Sequence, residues 1–268
     1  MTRLPVNFIF SQSSLQDYSD CPRRFQLRYL EHLAWPAVEQ EPFLTNEQKL
    51  KDGDYFHHLV NQYWLGLPSD RLTQMARSVN LHRWWENFVS SHFDLDGFDL
   101  HPEVTLGMKV GDWRLIAKYD LLAVNSNQVR IFDWKTNEKL PRKETLAIRY
   151  QTRVYPLLMV ESGQSLSGRK CQPDEIDMIY WFANFPDTTI QFQYSDTQFR
   201  RDREHIFSLI SRIGEEENFP LTIDEKRCTY CPYRSYCDRG ISAGSSLEDS
   251  EDQTNAALDW DSVPEIEF

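Results

Sequence analysis

Apolar positions recur at helical spacing in the first third of the chain, alternate through the middle, and return to helical spacing toward the end. Residues 11–34 place Leu15, Tyr18, Phe25, Leu27, Tyr29 and Leu30 on helical faces, with Ser13 or Ser14 as the cap. Pro22 predicts a break or a fresh start beside Cys21. A second helix is expected over Thr45–Leu65, opened by a Thr45/Gln48 capping box and striped with Phe56, Leu59, Val60, Tyr63 and Trp64. A third helical stretch covers 70–93 and includes Trp84, Trp85 and Phe88.

Strand alternation follows. Residues 103–110 and 113–124 flank Gly111–Asp112 and predict a hairpin. Val129–Lys135 is a third strand, entered by the turn at Asn125–Asn127. Helical spacing returns over 143–161, two further strands cover 176–183 and 189–194 around a turn at 184–187, and a last helix covers 196–214. The order predicts a mixed α/β core with a helical N-terminal layer.

Composition limits the function classes. Forty per cent hydrophobic and 13% aromatic residues suffice for a real core in 268 residues. No apolar run is long enough for a membrane span. The N-terminal residues lack a signal-peptide pattern, so a soluble, cytoplasmic protein without a membrane partner is expected. The net charge of −12 is uneven: residues 241–268 carry eight acids and no Lys or Arg, leaving the remainder at −4. That tail has no periodicity and is expected to be disordered.

Chemistry-bearing residues are concentrated in the strands and at the two ends. Alternation puts Asp133 and Lys135 on one strand face and Trp134 on the other. A carboxylate and an ammonium so placed are costly to bury without a purpose. Asp120, on the preceding strand, adds a second carboxylate, and two such groups make a hard oxygen site suited to Mg²⁺ or Mn²⁺. Asp-x-Lys alone is common, and an exposed, ion-paired strand face is the plain alternative. His57 in the second helix offers an imidazole, while Gln151 and Tyr155 share one helix face at i and i+4. Glu103 is a weaker candidate. Cys228, Cys231 and Cys237 are closely spaced, and Cys21, also followed by proline, lies near the other end. Clustered cytoplasmic cysteines point to metal or redox chemistry; Cys171 reads as an isolated free thiol.

Taken together, Gly53-x-x-x-His57, Asp120, Asp133-x-Lys135, Gln151-x-x-x-Tyr155, and Cys21 with Cys228-x-x-Cys231 and Cys237 resemble the PD-(D/E)xK nucleases. The similarity is to the RecB-like branch with an iron–sulfur cluster, which includes CRISPR-associated RecB-like nucleases, AddB nuclease domains and exonuclease-V-like enzymes. It implies a restriction-endonuclease-like mixed sheet core flanked by helices, with a C-terminal cysteine clasp. It implies metal ligation by His57, Asp120, Asp133 and the Trp134 carbonyl, catalysis by Lys135, and assistance from Gln151 and Tyr155. Cys21, Cys228, Cys231 and Cys237 would hold a [4Fe–4S] cluster; zinc is the chemical alternative.

The expected domains are a helical layer over 1–100 carrying Cys21 and His57, a nuclease core over 101–215, a cysteine loop over 216–240 and the acidic tail. The implied activity is that of an Mg²⁺- or Mn²⁺-dependent deoxyribonuclease, an exonuclease on single strands or duplex ends, in DNA repair, recombination or CRISPR-type processing. Its expected partners are DNA and a helicase or other DNA-processing subunit. A catalytically silent DNA-binding subunit is the competing reading. The chain departs from the family pattern at Ala117–Lys118–Tyr119, where a glycine usually precedes the strand aspartate. Aromatics Tyr18, Phe25, Tyr233 and Tyr236, with Arg23, Arg24, Arg227 and Arg234, either stack bases and meet phosphates or pack around the cysteines.

Overall fold

The computed structural model describes residues 4–33, 43–229 and 231–240, with backbone alone at 43–47 and 50. The acidic tail lies outside the described residues; the Thr45/Gln48 capping box does not form, since α3 already begins at Phe43 and Gln48 donates to Asp52 at 2.9 Å. Along the chain run β1 (Ile9–Phe10), α1 (Gln12–Asp20), α2 (Pro22–Phe25), α3 (Phe43–Trp64), α4 (Ser69–Met75) and α5 (Val79–Ser90). The strands β2 (Asp99–Val110), β3 (Trp113–Val124) and β4 (Val129–Lys135) follow. Next come α6 (Lys143–Ala147), α7 (Tyr150–Ser162), α8 (Gln164–Ser167), β5 (Ile176–Phe182), β6 (Phe185–Gln193) and α9 (Asp196–Glu215). The chain divides into two compact units, one of Met1–Ala37, Lys109–Leu115 and His205–Phe268, the other of Val38–Met108 and Ile116–Glu204.

In the first unit, the cap of α1 is Ser11 rather than Ser13 or Ser14. Ser11 Oγ accepts from the Ser14 N–H at 3.2 Å, and Ser14 Oγ accepts from the Ser11 N–H at 2.9 Å. The expected break falls at Cys21, whose extended backbone separates α1 from Pro22 at the start of α2. Gln26–Leu30 continue as a wider π turn. The short strand β1, which alternation did not predict, pairs in parallel with Arg114 and Leu115. Phe25 is fully buried and stacks on Phe219 at 5.9 Å. Tyr18 and Tyr233 are buried as well, which leaves Tyr236 as the exposed member of the four aromatics considered for base stacking. Packing explains the other three.

The second unit is built on a mixed sheet. β3 and β4 are antiparallel from Leu121↔Phe132 to Val124↔Val129. β4 and β5 are parallel along the whole of β4, with Asp133↔Tyr180 and Lys135↔Phe182 in register. β5 and β6 form an antiparallel hairpin, and β2 pairs with β3. Parallel pairing of β4 with β5 requires a crossover, and α6 and α7 supply it. Two stretches expected as single helices are each split. Ser78 interrupts 70–93 because its hydroxyl caps Leu81 N–H at 3.1 Å and donates to Asp52 at 2.8 Å. The 143–161 stretch breaks at Arg149, whose extended backbone opens α7.

Strand alternation sorts the two faces of this sheet. Phe132 and Trp134 of β4 join Leu121, Ala123, Ile179 and Trp181 in a core with Phe56, Leu59 and Val60 of α3 and Trp84, Trp85 and Phe88 of α5. Asp133 and Lys135 take the opposite face and meet α7. A mixed α/β architecture with a central sheet flanked by helices therefore stands as expected. Among the described residues, no helix is long and apolar enough to cross a membrane.

Candidate active site

In the second unit the six side chains form two bonded groups, His57 with Asp120, and Asp133 with Lys135, Gln151 and Tyr155. The antiparallel pairing of β3 and β4 ends at Leu121↔Phe132. One step beyond, Asp120 Oδ2 accepts the Trp134 N–H at 2.8 Å. Its other oxygen faces His57 Nδ1 at 3.1 Å. A side chain thus replaces the strand partner and ties α3 to the end of β4.

Asp133 lies on the face of β4 opposite Trp134, 3% exposed, beside Lys135 at 26%. Its Oδ2 is 2.7 Å from the Lys135 ammonium, and its Oδ1 accepts from Gln151 Nε2 at 2.5 Å. Gln151 Oε1 accepts from the same ammonium at 2.9 Å, and its amide donates to Tyr155 Oη at 3.2 Å. Gln151 is therefore a spacer that fixes carboxylate and ammonium together. Tyr155 is held from behind by the Tyr119 ring at 4.8 Å, and Tyr119 Oη donates to the Tyr155 carbonyl at 2.8 Å.

The two carboxyls are driven apart electrostatically. Burial pushes Asp133 up to about 6, helped by the Asp120 charge and opposed by Lys135 and His57. Burial acts on Asp120 in the same direction, but His57, the Trp134 N–H and Lys135 outweigh it and hold Asp120 below the usual range. Neighbouring acids separated in this way are a feature of catalytic sites.

The metal expectations are corrected. Among the described residues there is no group of three or more His, Cys, Asp or Glu side chains that could hold a metal ion. At the carboxylates each of the four oxygens of Asp120 and Asp133 already faces one protein donor, namely His57, the Trp134 N–H, Gln151 or Lys135, with which a cation would have to compete. The site does not fit the Mg²⁺ or Mn²⁺ ligation expected of His57, Asp120, Asp133 and Trp134. The Trp134 ring is buried in the aromatic core.

The [4Fe–4S] expectation fails as well. In the first unit, Cys21, Cys228, Cys231 and Cys237 line one cavity, but no group of three or more His, Cys, Asp or Glu among the described residues is arranged to hold a metal ion. All the cysteines are free. Burial pushes Cys231 up to about 11 and raises Cys228 and Cys237 as well. A metal-dependent DNA exonuclease carrying an iron–sulfur cluster therefore does not stand as the function.

The weaker candidate Glu103 pairs instead with Lys118 at 2.6 Å. One residue the sequence reading passed over is Asn184, in the β5–β6 turn. Its Oδ1 accepts from Arg83 at 2.8 Å and from the Trp84 indole at 2.9 Å, and its amide donates to the carbonyls of Thr136 at 3.1 Å and Asn137 at 2.9 Å. All four hydrogen-bonding valences of the amide are used, and they anchor the chain immediately after Lys135. An asparagine in a hairpin turn carries no sequence signal for this. Asn184→Ala is expected to cost about 2–3 kcal/mol, read as a lower denaturation midpoint, since four bonds near 0.5–1.5 kcal/mol are lost with partial replacement by water.

A family model described as the PD-(D/E)XK nuclease superfamily matches residues 9–238. No curated protein matches the sequence. Among solved structures, a candidate exonuclease from Eubacterium rectale superposes with a TM-score of 0.51 at 11% identity, covering 90% of this chain and 91% of that one. A second structure, SSO0001, covers the same shares at 14% identity, with a TM-score of 0.40 that is too low to bear on the fold.

Proposed function

Because the chain belongs to the PD-(D/E)XK nuclease superfamily, we propose that it hydrolyses phosphodiester bonds of nucleic acid at the Asp133–Lys135–Gln151 network. The observation that carries this is the buried Asp133 carboxyl, pushed up to about 6 and clamped between an ammonium and an amide that open toward solvent. Such a carboxylate is ionised at neutral pH yet basic enough to take a proton. Asp133 accepts the proton of the attacking water. Lys135 meets the negative charge that grows on the phosphate oxygens. Gln151 fixes the distance between the two, and Tyr155 fixes Gln151. Asp120 orients the His57 ring at the mouth of the site and holds the end of β4 in place.

The test is incubation of the full chain with end-labelled DNA, in Mg²⁺, in Mn²⁺ and in EDTA, because cations also screen the phosphates whichever residue does the chemistry. Wild type is expected to cleave, and Lys135→Ala to cleave about a hundredfold more slowly or less, from loss of transition-state charge stabilisation. Wild type that binds DNA without cutting it under any of the three conditions contradicts the proposal and favours a binding subunit.

A further inference from the structure

We propose that residues 138–149, the segment joining β4 to α7, grip an incoming single nucleic-acid strand, with Lys139, Arg142 and Lys143 on its phosphates and Leu140 and Ile148 against its unpaired bases. This rests on the hydrolytic reading and names what reaches that site.

Three observations support it. The first is position. The segment begins just after Lys135, at the two carbonyls that Asn184 holds, and ends just before Gln151. Any strand lying on it is delivered to the network. Its inner side is pinned: Pro141 and Leu146 are buried, and the Leu146 carbonyl accepts from Thr152 at 2.6 Å.

The second is charge. The segment carries Lys139, Arg142, Lys143 and Arg149 against Glu138 and Glu144, in a chain whose net charge is −12. Glu138 is paired with Lys49 of α3 at 2.6 Å, which reduces its opposition to an anion. Lys139, Arg142 and Lys143 are exposed.

The third is the apolar content of the outer side. Ile148 is 73% exposed and Leu140 is 40% exposed, on a segment whose other large apolar side chains are buried. Exposed aliphatic groups set among cations complement a ligand with charged phosphates and apolar base faces.

The experiment is fluorescence anisotropy of labelled oligothymidylate with the full chain over a salt series, with cleavage read in the same samples. Three proteins are compared: wild type, the triple variant Lys139→Gln/Arg142→Gln/Lys143→Gln, and Ile148→Ser. Losing three phosphate contacts is expected to weaken binding roughly ten- to a hundredfold and to lower the salt slope by about 2. Ile148→Ser is expected to weaken binding about fivefold with the slope unchanged, from lost apolar contact. Melting temperatures of all three proteins are read alongside, because Lys143 lies over the Phe192 ring at 5.2 Å, and the triple variant is expected to stay folded with at most a small downward shift.

A triple variant with wild-type affinity and slope overturns the grip, as does wild type that fails to bind. Polyglutamate that competes as well as oligothymidylate at equal charge overturns the base contacts and points to an acidic protein partner. Binding that responds to the variants without any cleavage leaves the grip standing and removes the hydrolytic reading alone.

Discussion

Asp133→Asn is expected to slow cleavage by about a thousandfold while leaving the fold in place. The amide is nearly isosteric with the carboxyl and its oxygen still accepts the Gln151 hydrogen bond, but its NH2 then faces the Lys135 ammonium, which must turn toward solvent, and it cannot take a proton from water. Lys135 loses its counter-charge, yet it is 26% exposed and keeps Gln151 as an acceptor, so its ammonium is not stranded. Acidity gives a second readout. Since burial sets Asp133 at about 6, wild-type activity should rise through that pH as the carboxylate forms.

The stability of the two proteins should diverge over the same window. A folded pKa of about 6 lies above the ordinary value of 3.8, so the folded state holds this proton more tightly than the unfolded chain does. The resulting stabilisation is full below the ordinary value and is lost as pH rises through about 6. Wild type should therefore lose ground to Asp133→Asn between about pH 4 and about pH 7, measured as the difference in melting temperature. A constant difference would mean that Asp133 is not raised.

The largest stability loss is expected from Trp181→Ala. Trp181 is 1% exposed in β5 and stacks on Phe56 at 6.2 Å. It meets Phe88 at 5.8 Å, Phe93 at 6.0 Å and Trp134 at 6.0 Å. Its indole N–H donates to the Pro186 carbonyl at 3.2 Å. Truncation opens a cavity among rings that come from helices and strands together, so the surroundings cannot collapse without moving α3 or α5. A loss of about 3–5 kcal/mol is expected in denaturant titration. Trp181 pairs with Trp134 in register, so the same change loosens the strand that carries Asp133 and Lys135. Trp181→Phe should cost less, because it keeps most of the ring contact.

The part of this site that follows from period and order was legible in the sequence. Alternation placed Asp133 and Lys135 on one face and Trp134 on the other, and the structure has Trp134 in the core and Asp133 against α7. Helical spacing put Gln151 and Tyr155 on one face, and they are hydrogen-bonded there. Spacing did not show how the polar atoms are satisfied. The residue types at Asp120 and Asp133 suggested a metal site, but which donors already face each carboxylate depends on groups brought together from α3, β4 and α7.

The cysteines teach the same lesson at a different scale. Cys228, Cys231 and Cys237 have a spacing that suits a cluster, but whether their thiols converge on one point is a property of packing. Asn184 was invisible for the opposite reason. Its function comes from four partners distant in the chain, and its local setting is an ordinary turn.

The central claim is that Asp133 and Lys135 perform hydrolysis rather than support the fold. It is tested most directly by single-turnover cleavage of one end-labelled DNA strand by four proteins: wild type, Asp133→Asn, Lys135→Ala and Glu161→Gln. The last removes a surface ion pair with Arg203 and serves as the control. The account predicts cleavage by wild type and the control, with large losses in the other two at unchanged melting profiles at neutral pH. Equal cleavage by all four proteins would contradict it.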